Sequence, residues 1–172
     1  EDLKADKNVV VPINLGKKAR KYLKEPITCN LVSYGNNIMA ASIPETMDLV
    51  SAYVDKFEFY HCFETPNMHW LNERLAEKGH KICFMAEYCL PDISRIPTLS
   101  CAYVTRVLTQ EAFADLYRPE WSNALCEDRK KLDVLGVGAY DGSTLVGLAA
   151  CSADCDDMWQ IGVDVLPEYR RQ

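Results

Sequence analysis

Val134-Leu135-Gly136-Val137-Gly138-Ala139-Tyr140-Asp141-Gly142-Ser143-Thr144-Leu145-Val146-Gly147-Leu148-Ala149-Ala150-Cys151 holds two apolar runs, Val134–Tyr140 and Thr144–Cys151, about an Asp141-Gly142 pair. Asp-Gly between two such runs predicts a β-hairpin, because the tight turn needs positive φ at its centre. Downstream, Ser152–Asp157 reads as an acidic turn and Met158–Val165 as a third strand. Upstream, Cys101–Leu108 reads as a strand. Thr109 then caps a helix reaching about Tyr117, which Pro119 ends, and a second helix runs from about Ser122 to Lys131. The expected order over 98–172 is β-α-α-β-β-β.

Pro91 to Pro97 reads as a linker, with a smaller mixed β/α domain before it over residues 1–95. Residues 1–14 are an extended arm, and 15–24 a short basic helix carrying Lys17, Lys18, Arg20, Lys21 and Lys24. Ile27–Val32 and Ile38–Ile43 flank the turn Tyr34-Gly35-Asn36-Asn37. Pro44-Glu45-Thr46 opens a helix to about Phe57, in which Met47, Val50, Val54 and Phe57 recur at helical spacing. Phe59–Phe63 reads as a short strand, Asn67 to Lys78 as a helix closed by Gly79, and Lys81–Leu90 as a strand ending at Pro91. The fold class expected is α+β, a mixed and mostly antiparallel sheet flanked by helices.

The 172 residues make 19.5 kDa, with 48% hydrophobic and 26% charged side chains, which excludes a disordered chain. No apolar run is long enough to cross a membrane. The net charge is −6, and residues 101–172 hold 7 basic and 12 acidic side chains. Such a segment is a poor partner for nucleic acid and suits cationic or small neutral ligands. Eight cysteines occur without a C-x-x-C spacing, most of them in apolar runs such as Ile82-Cys83-Phe84. They read as reduced thiols packed as small hydrophobes, which points to the cytoplasm. Cys151 and Cys155 with Asp154, Asp156 and Asp157 come nearest to a metal motif, but the three histidines lie far off in sequence and no metal is expected.

Ile161-Gly162-Val163-Asp164-Val165-Leu166-Pro167-Glu168-Tyr169-Arg170-Arg171-Gln172 resembles the start of the acetyl-CoA signature of GNAT-superfamily N-acyltransferases. In that family a strand ending V-x-P-x-Y-R runs into Q/R-x-x-G-x-G/A and a helix. Arg170 matches the leading position, Arg171 and Gln172 match the two variable ones, and the glycines fall just beyond residue 172. The resemblance covers about 70 residues and implies that 98–172 is the N-terminal half of a GNAT-like domain. A chain ending at Gln172 is expected to bind CoA poorly. The implied activity is transfer of an acetyl group from acetyl-CoA to the amine of a small acceptor, by direct attack on the thioester. The alternative is a non-catalytic acyl-CoA-binding or sensing module. No membrane partner is implied, and a homo-oligomer is compatible with either reading.

On this resemblance Val163, Asp164, Val165, Arg170, Arg171 and Gln172 form the cofactor side. The strand Met158–Val165 would carry a bulge at Gly162, leaving backbone groups free for the amide-rich arm of the cofactor. Family members commonly place a Glu early on this strand, where Met158-Trp159-Gln160 offers none. Asp164, Asp156 and Asp157 are then the nearest acids for a catalytic base. Asp164 also reads as a solvated or structurally bonded acid, and Asp154 to Asp157 as turn residues. Trp121 is a substrate wall or core, Asn123 orients an acceptor or caps a helix, and Asp154 completes the substrate side.

Overall fold

The computed structural model describes residues 5–17, 19, 25–97 and 99–171. These fall into two units, one drawn from 5–14 and 25–89, the other from 15–19 and 90–171. The described residues are mixed α+β, with a three-stranded and a four-stranded sheet and two α-helices.

The first unit contains β1 (Val9–Pro12), β2 (Cys29–Ser33) and β3 (Ile38–Ser42) in the order β1-β3-β2. The β2–β3 pair is antiparallel, and Gly35 supplies the positive φ of +102° in its turn. β1 runs parallel to β3. Helix α1 (Pro44–Lys56) begins with proline, whose missing N–H costs nothing in the first turn, and buries Val50, Tyr53 and Val54. Helix α2 (Thr65–Ala76) buries Leu71 and Leu75 and ends before Gly79 at φ +79°. These side chains join Ile38, Ala40 and Cys62 in one core.

The second unit is a four-stranded antiparallel sheet in chain order: β4 (Val104–Thr109), β5 (Asp133–Asp141), β6 (Thr144–Ala153) and β7 (Trp159–Val165). The β5–β6 turn holds Gly142 at φ +59°. One face of the sheet carries the row Leu108, Gly136, Ala150 and Gly162, matched across all four strands. The small residues let the segment between β4 and β5 come close. A Cβ at Gly136 would lie 3.1 Å from the Phe113 ring, and one at Gly162 would overlap the Asn123 carbonyl oxygen. Phe113, Trp121, Ala124 and Leu125 close this core.

Several expectations are corrected. The two helices expected over 109–117 and 122–131 are short 3-10 turns at Gln110–Phe113, Pro119–Trp121 and Glu127–Arg129. The first segment is too short to sustain a helix alone, and its tight turn suffices to bury Phe113. In the second, the Asp164 carboxylate takes the N–H groups of Asn123 and Ala124. Thr109 makes no backbone cap; its hydroxyl donates to Glu111 Oε2 at 2.7 Å. Phe59–His61 is a 3-10 turn rather than a strand. Lys81–Leu90 is irregular: Ile82 N donates to Asn72 Oδ1 at 2.8 Å, tying the segment to α2 instead of to a sheet edge. The β6–β7 register is continuous, so Gly162 carries no bulge; the irregularities lie between β5 and β6. Of the expected basic helix, residues 15–17 and 19 form a turn, with Ala19 N donating to Gly16 O, and the remainder lies outside the described residues. Cys83, Cys89 and Cys101 are exposed rather than packed, although all eight cysteines are free thiols.

Candidate functional site

β7 forms one border of the four-stranded sheet, so one side of its backbone faces away from β6. In an antiparallel pair alternate residues turn both main-chain groups to that outer side. Here these are Trp159, Ile161, Val163 and Val165. Asn123 Nδ2 donates to Val163 O at 2.8 Å, and Arg170 Nε donates to Val165 O at 2.8 Å. Two side chains therefore occupy the carbonyls of Val163 and Val165, an arrangement that blunts this end of an open edge.

Asp164 points to the opposite side of the strand from Val163 and Val165. Its Oδ2 accepts from Asn123 N at 2.9 Å and Ala124 N at 2.7 Å. Asn123 and Asp164 thus form a reciprocal clamp: a side-chain amide on strand backbone, and a strand carboxylate on turn backbone. Trp121, one turn earlier, is buried in the core at 4% exposure.

At its far end β7 enters the 3-10 turn Pro167–Tyr169. Tyr169 hydroxyl donates to Asp141 Oδ2 at 3.2 Å, and its ring meets that of Tyr103 edge-on at 5.8 Å. The bond to Asp141 is the main cause that raises the Tyr169 phenol above its ordinary value. Arg170 is extended, and Arg171 adopts a left-handed φ of 62°. Both arginines are exposed at the end of β7, and Gln172 lies outside the described residues.

The acidic turn sits at the other end of the strand. Asp154 N and Cys155 N donate to Met158 O at 2.9 and 3.3 Å. Asp156 and Asp157 are exposed and Asp154 is half-buried. The Asp156 carboxylate lies against the Gly16 backbone, where an added Cβ would approach Oδ2 to 2.5 Å. The structure therefore separates the expected residues into three places. Asp164, Asn123 and Val163 come together at mid-strand, Val165, Arg170 and Arg171 at its end, and Asp154, Asp156 and Asp157 at its entry. Among the described residues no group of three or more His, Cys, Asp or Glu is placed to hold a metal ion. Among them also, no helix is long and apolar enough to cross a membrane.

Two features lay outside the sequence reading. Asp133 is buried at 2% exposure, bonded by the Ser152 hydroxyl and by Tyr117 hydroxyl at 3.0 Å. Burial first, then the bond to Asp133, pushes the Tyr117 phenol upward. Tyr117 also borders an open depression of about 260 Å³, lined with Pro119, Ser122, Leu125, Cys126 and Glu127. The acid between Leu132 and Val134 was the available signal for this network: a carboxylate opening an apolar strand needs buried donors.

Comparison with protein-family models, with curated proteins and with solved structures finds no match.

Proposed function

We propose that the second unit is the opening half of a GNAT-like acyl-transfer domain that takes acetyl-CoA and a small amine. The observation carrying this reading is the border of β7. Val163 and Val165 turn main-chain groups outward, and the strand leads through Pro167–Tyr169 to two exposed arginines, one of them left-handed. Outward N–H groups suit the amide carbonyls of an extended pantetheine arm, and Arg170 and Arg171 suit a phosphate at its end. The thioester of acetyl-CoA supplies the activated acetyl group. The chain's part is positional: backbone donors hold the arm, and the acidic entry turn draws a cationic amine.

Asp164 is a positioning residue in this scheme, because its Oδ2 is engaged with turn backbone. Asp156 and Asp157, exposed beside the strand entry, are the better acids for capturing an ammonium group. The non-catalytic alternative draws support from a specific observation. The Val163 and Val165 carbonyls are already bonded by Asn123 and Arg170, and among the described residues of β7 the acid at mid-strand, Asp164, is itself engaged.

Calorimetric titration of the full-length protein with acetyl-CoA tests the shared part of both readings. Micromolar-range binding is expected; absence of heat with acetyl-CoA and longer acyl-CoAs overturns both. Turnover with a panel of small amines then separates transferase from sensor. Asp156→Asn with Asp157→Asn is expected to raise KM for the amine several-fold at low ionic strength, where such fields are least screened, and to leave acetyl-CoA binding unchanged. Wild-type amine kinetics in that variant would remove the acidic turn from substrate capture.

A further inference from the structure

The acidic turn before β7 meets a segment from far earlier in the chain. The chain leaves the first unit after Asn14, gives residues 15–19 to the second, and is back in the first by residue 25. On this excursion the Gly16 backbone lies against the Asp156 carboxylate, where a Cβ would approach Oδ2 to 2.5 Å and Cγ to 3.5 Å. Glycine, with no side chain, permits that approach. Ala19 N donates to Gly16 O at 3.0 Å and closes a turn, and Lys17, which is exposed, follows Gly16 directly. The two segments are opposite in charge. Residues 15–24 hold five Lys and Arg and no Asp or Glu, whereas residues 152–158 hold three Asp and no Lys or Arg. Asp156 and Asp157 are both exposed.

We infer that residues 15–19 are a strap that closes on the acidic turn through the Lys17 side of the segment, and that a cationic ligand reaches Asp156 and Asp157 only by displacing it. Closure rests on the contact at Gly16; displacement also rests on the proposed reading of this turn as the place that draws a cationic amine. A strap that opens fits the chemistry better than a fixed brace. An exposed lysine–carboxylate pair is individually weak and is screened by salt. The Lys17 ammonium rides on a flexible four-carbon stem, one residue from the backbone that Asp156 touches. Tethering does the rest. Because the chain continues on both sides of the segment, its cations stay at high effective concentration over the turn, and weak contacts suffice without a packed interface. A free amine competes with that local charge. A ligand carrying two charges competes better than one carrying a single charge, because it engages two carboxylates at once.

Zero-length carbodiimide coupling of the full-length wild-type protein, read by digestion and mass spectrometry, tests this without acyl-CoA or turnover. Such coupling joins an amine to a carboxylate only where the two meet. At low ionic strength, links from Lys17 or Lys18 to Asp156 or Asp157 are expected, and high salt should cut their yield at least ~5-fold. Hexamethonium, an organic dication that carbodiimide cannot couple, should cut it further than sodium chloride of equal ionic strength. Proteolysis gives a second measure. At low ionic strength, trypsin is expected to cleave after Lys17 and Lys18 at least ~3-fold faster in Asp156→Asn with Asp157→Asn than in wild type, and high salt should erase the difference. Both acids are exposed, so far-UV circular dichroism of the variant should match wild type. Absence of these links while other lysines couple overturns the strap, as do links and cleavage indifferent to salt. Hexamethonium acting no better than sodium overturns displacement. Salt-sensitive links in a protein that gives no heat with acetyl-CoA would sink the acyl-transfer reading and leave the strap standing.

Discussion

Asp164 spends one carboxylate oxygen on two backbone N–H groups, and Asn123 returns a bond to the strand. Removing the carboxylate leaves two donors at a half-buried turn without their acceptor. Asp164→Ala is therefore expected to cost about 1–3 kcal/mol, and Asp164→Asn somewhat less, read by urea unfolding with tryptophan fluorescence. The Tyr53 hydroxyl, in the first core, donates to the Cys62 carbonyl oxygen. Burial raises its phenol to about 12, and the neighbouring Cys62 thiol adds to the shift. In the unfolded chain a phenol ionises near 10. Between those values the unfolded state has released a proton that the folded state keeps, so stability falls as pH rises. The first unit is expected to hold the full contribution below about pH 10 and to lose it progressively toward about pH 12. Stability curves should show this loss in wild type and lack it in Tyr53→Phe.

Glycine sets how the 3-10 turns meet the sheet. Gly136 and Gly162 lie in one cross-strand row with Ala150 between them; the Phe113 ring rests on Gly136 and the Asn123–Ala124 backbone on Gly162. Gly162→Ala forces a methyl into the Asn123 carbonyl, which is backbone and cannot swing aside. A loss of about 1–3 kcal/mol is expected, together with a red shift of Trp121 emission as the turn lifts. Gly142→Ala tests a different thing, the turn conformation at φ +59°, with nothing nearby to clash. About 1 kcal/mol is expected there, and thermal unfolding should separate the two variants by size.

Each unit has its own buried cluster, one centred on Tyr53 and Leu75, the other on Phe113 and Leu148. Between the α2 terminus and β4 the described residues are largely exposed and form only one short 3-10 turn, Ile93–Arg95, with the Arg95 side chain 86% accessible. Limited trypsin digestion is expected to cut first in 81–97, at Lys81 or Arg95, before any site within β5–β7. Early cleavage at Arg106 or Arg129 would mean that the second core opens more readily than the irregular segment.

The β5–β6 hairpin, the β2–β3 turn and both α-helices were legible in the sequence, because their signals are local. Asp141-Gly142, Gly35, and proline at the start of each helix act within a few residues. The strands read over Cys101–Leu108 and Met158–Val165 also appear, as β4 and β7, but elsewhere local strength did not suffice. Lys81–Leu90 has the composition of a strand, but a strand exists only against an edge that accepts its hydrogen bonds, and here Asn72 holds its start at α2. The second expected helix of the second unit became 3-10 turns, since Asp164, some 40 residues away, took the N–H groups of Asn123 and Ala124. The V-x-P-E-Y-R-R pattern marked the border strand, while only the folded chain decided that Asn123 and Arg170 would occupy its carbonyls. Sequence determines which segments prefer to turn or coil; which donors and acceptors remain open is decided by partners that the tertiary structure brings within 3 Å.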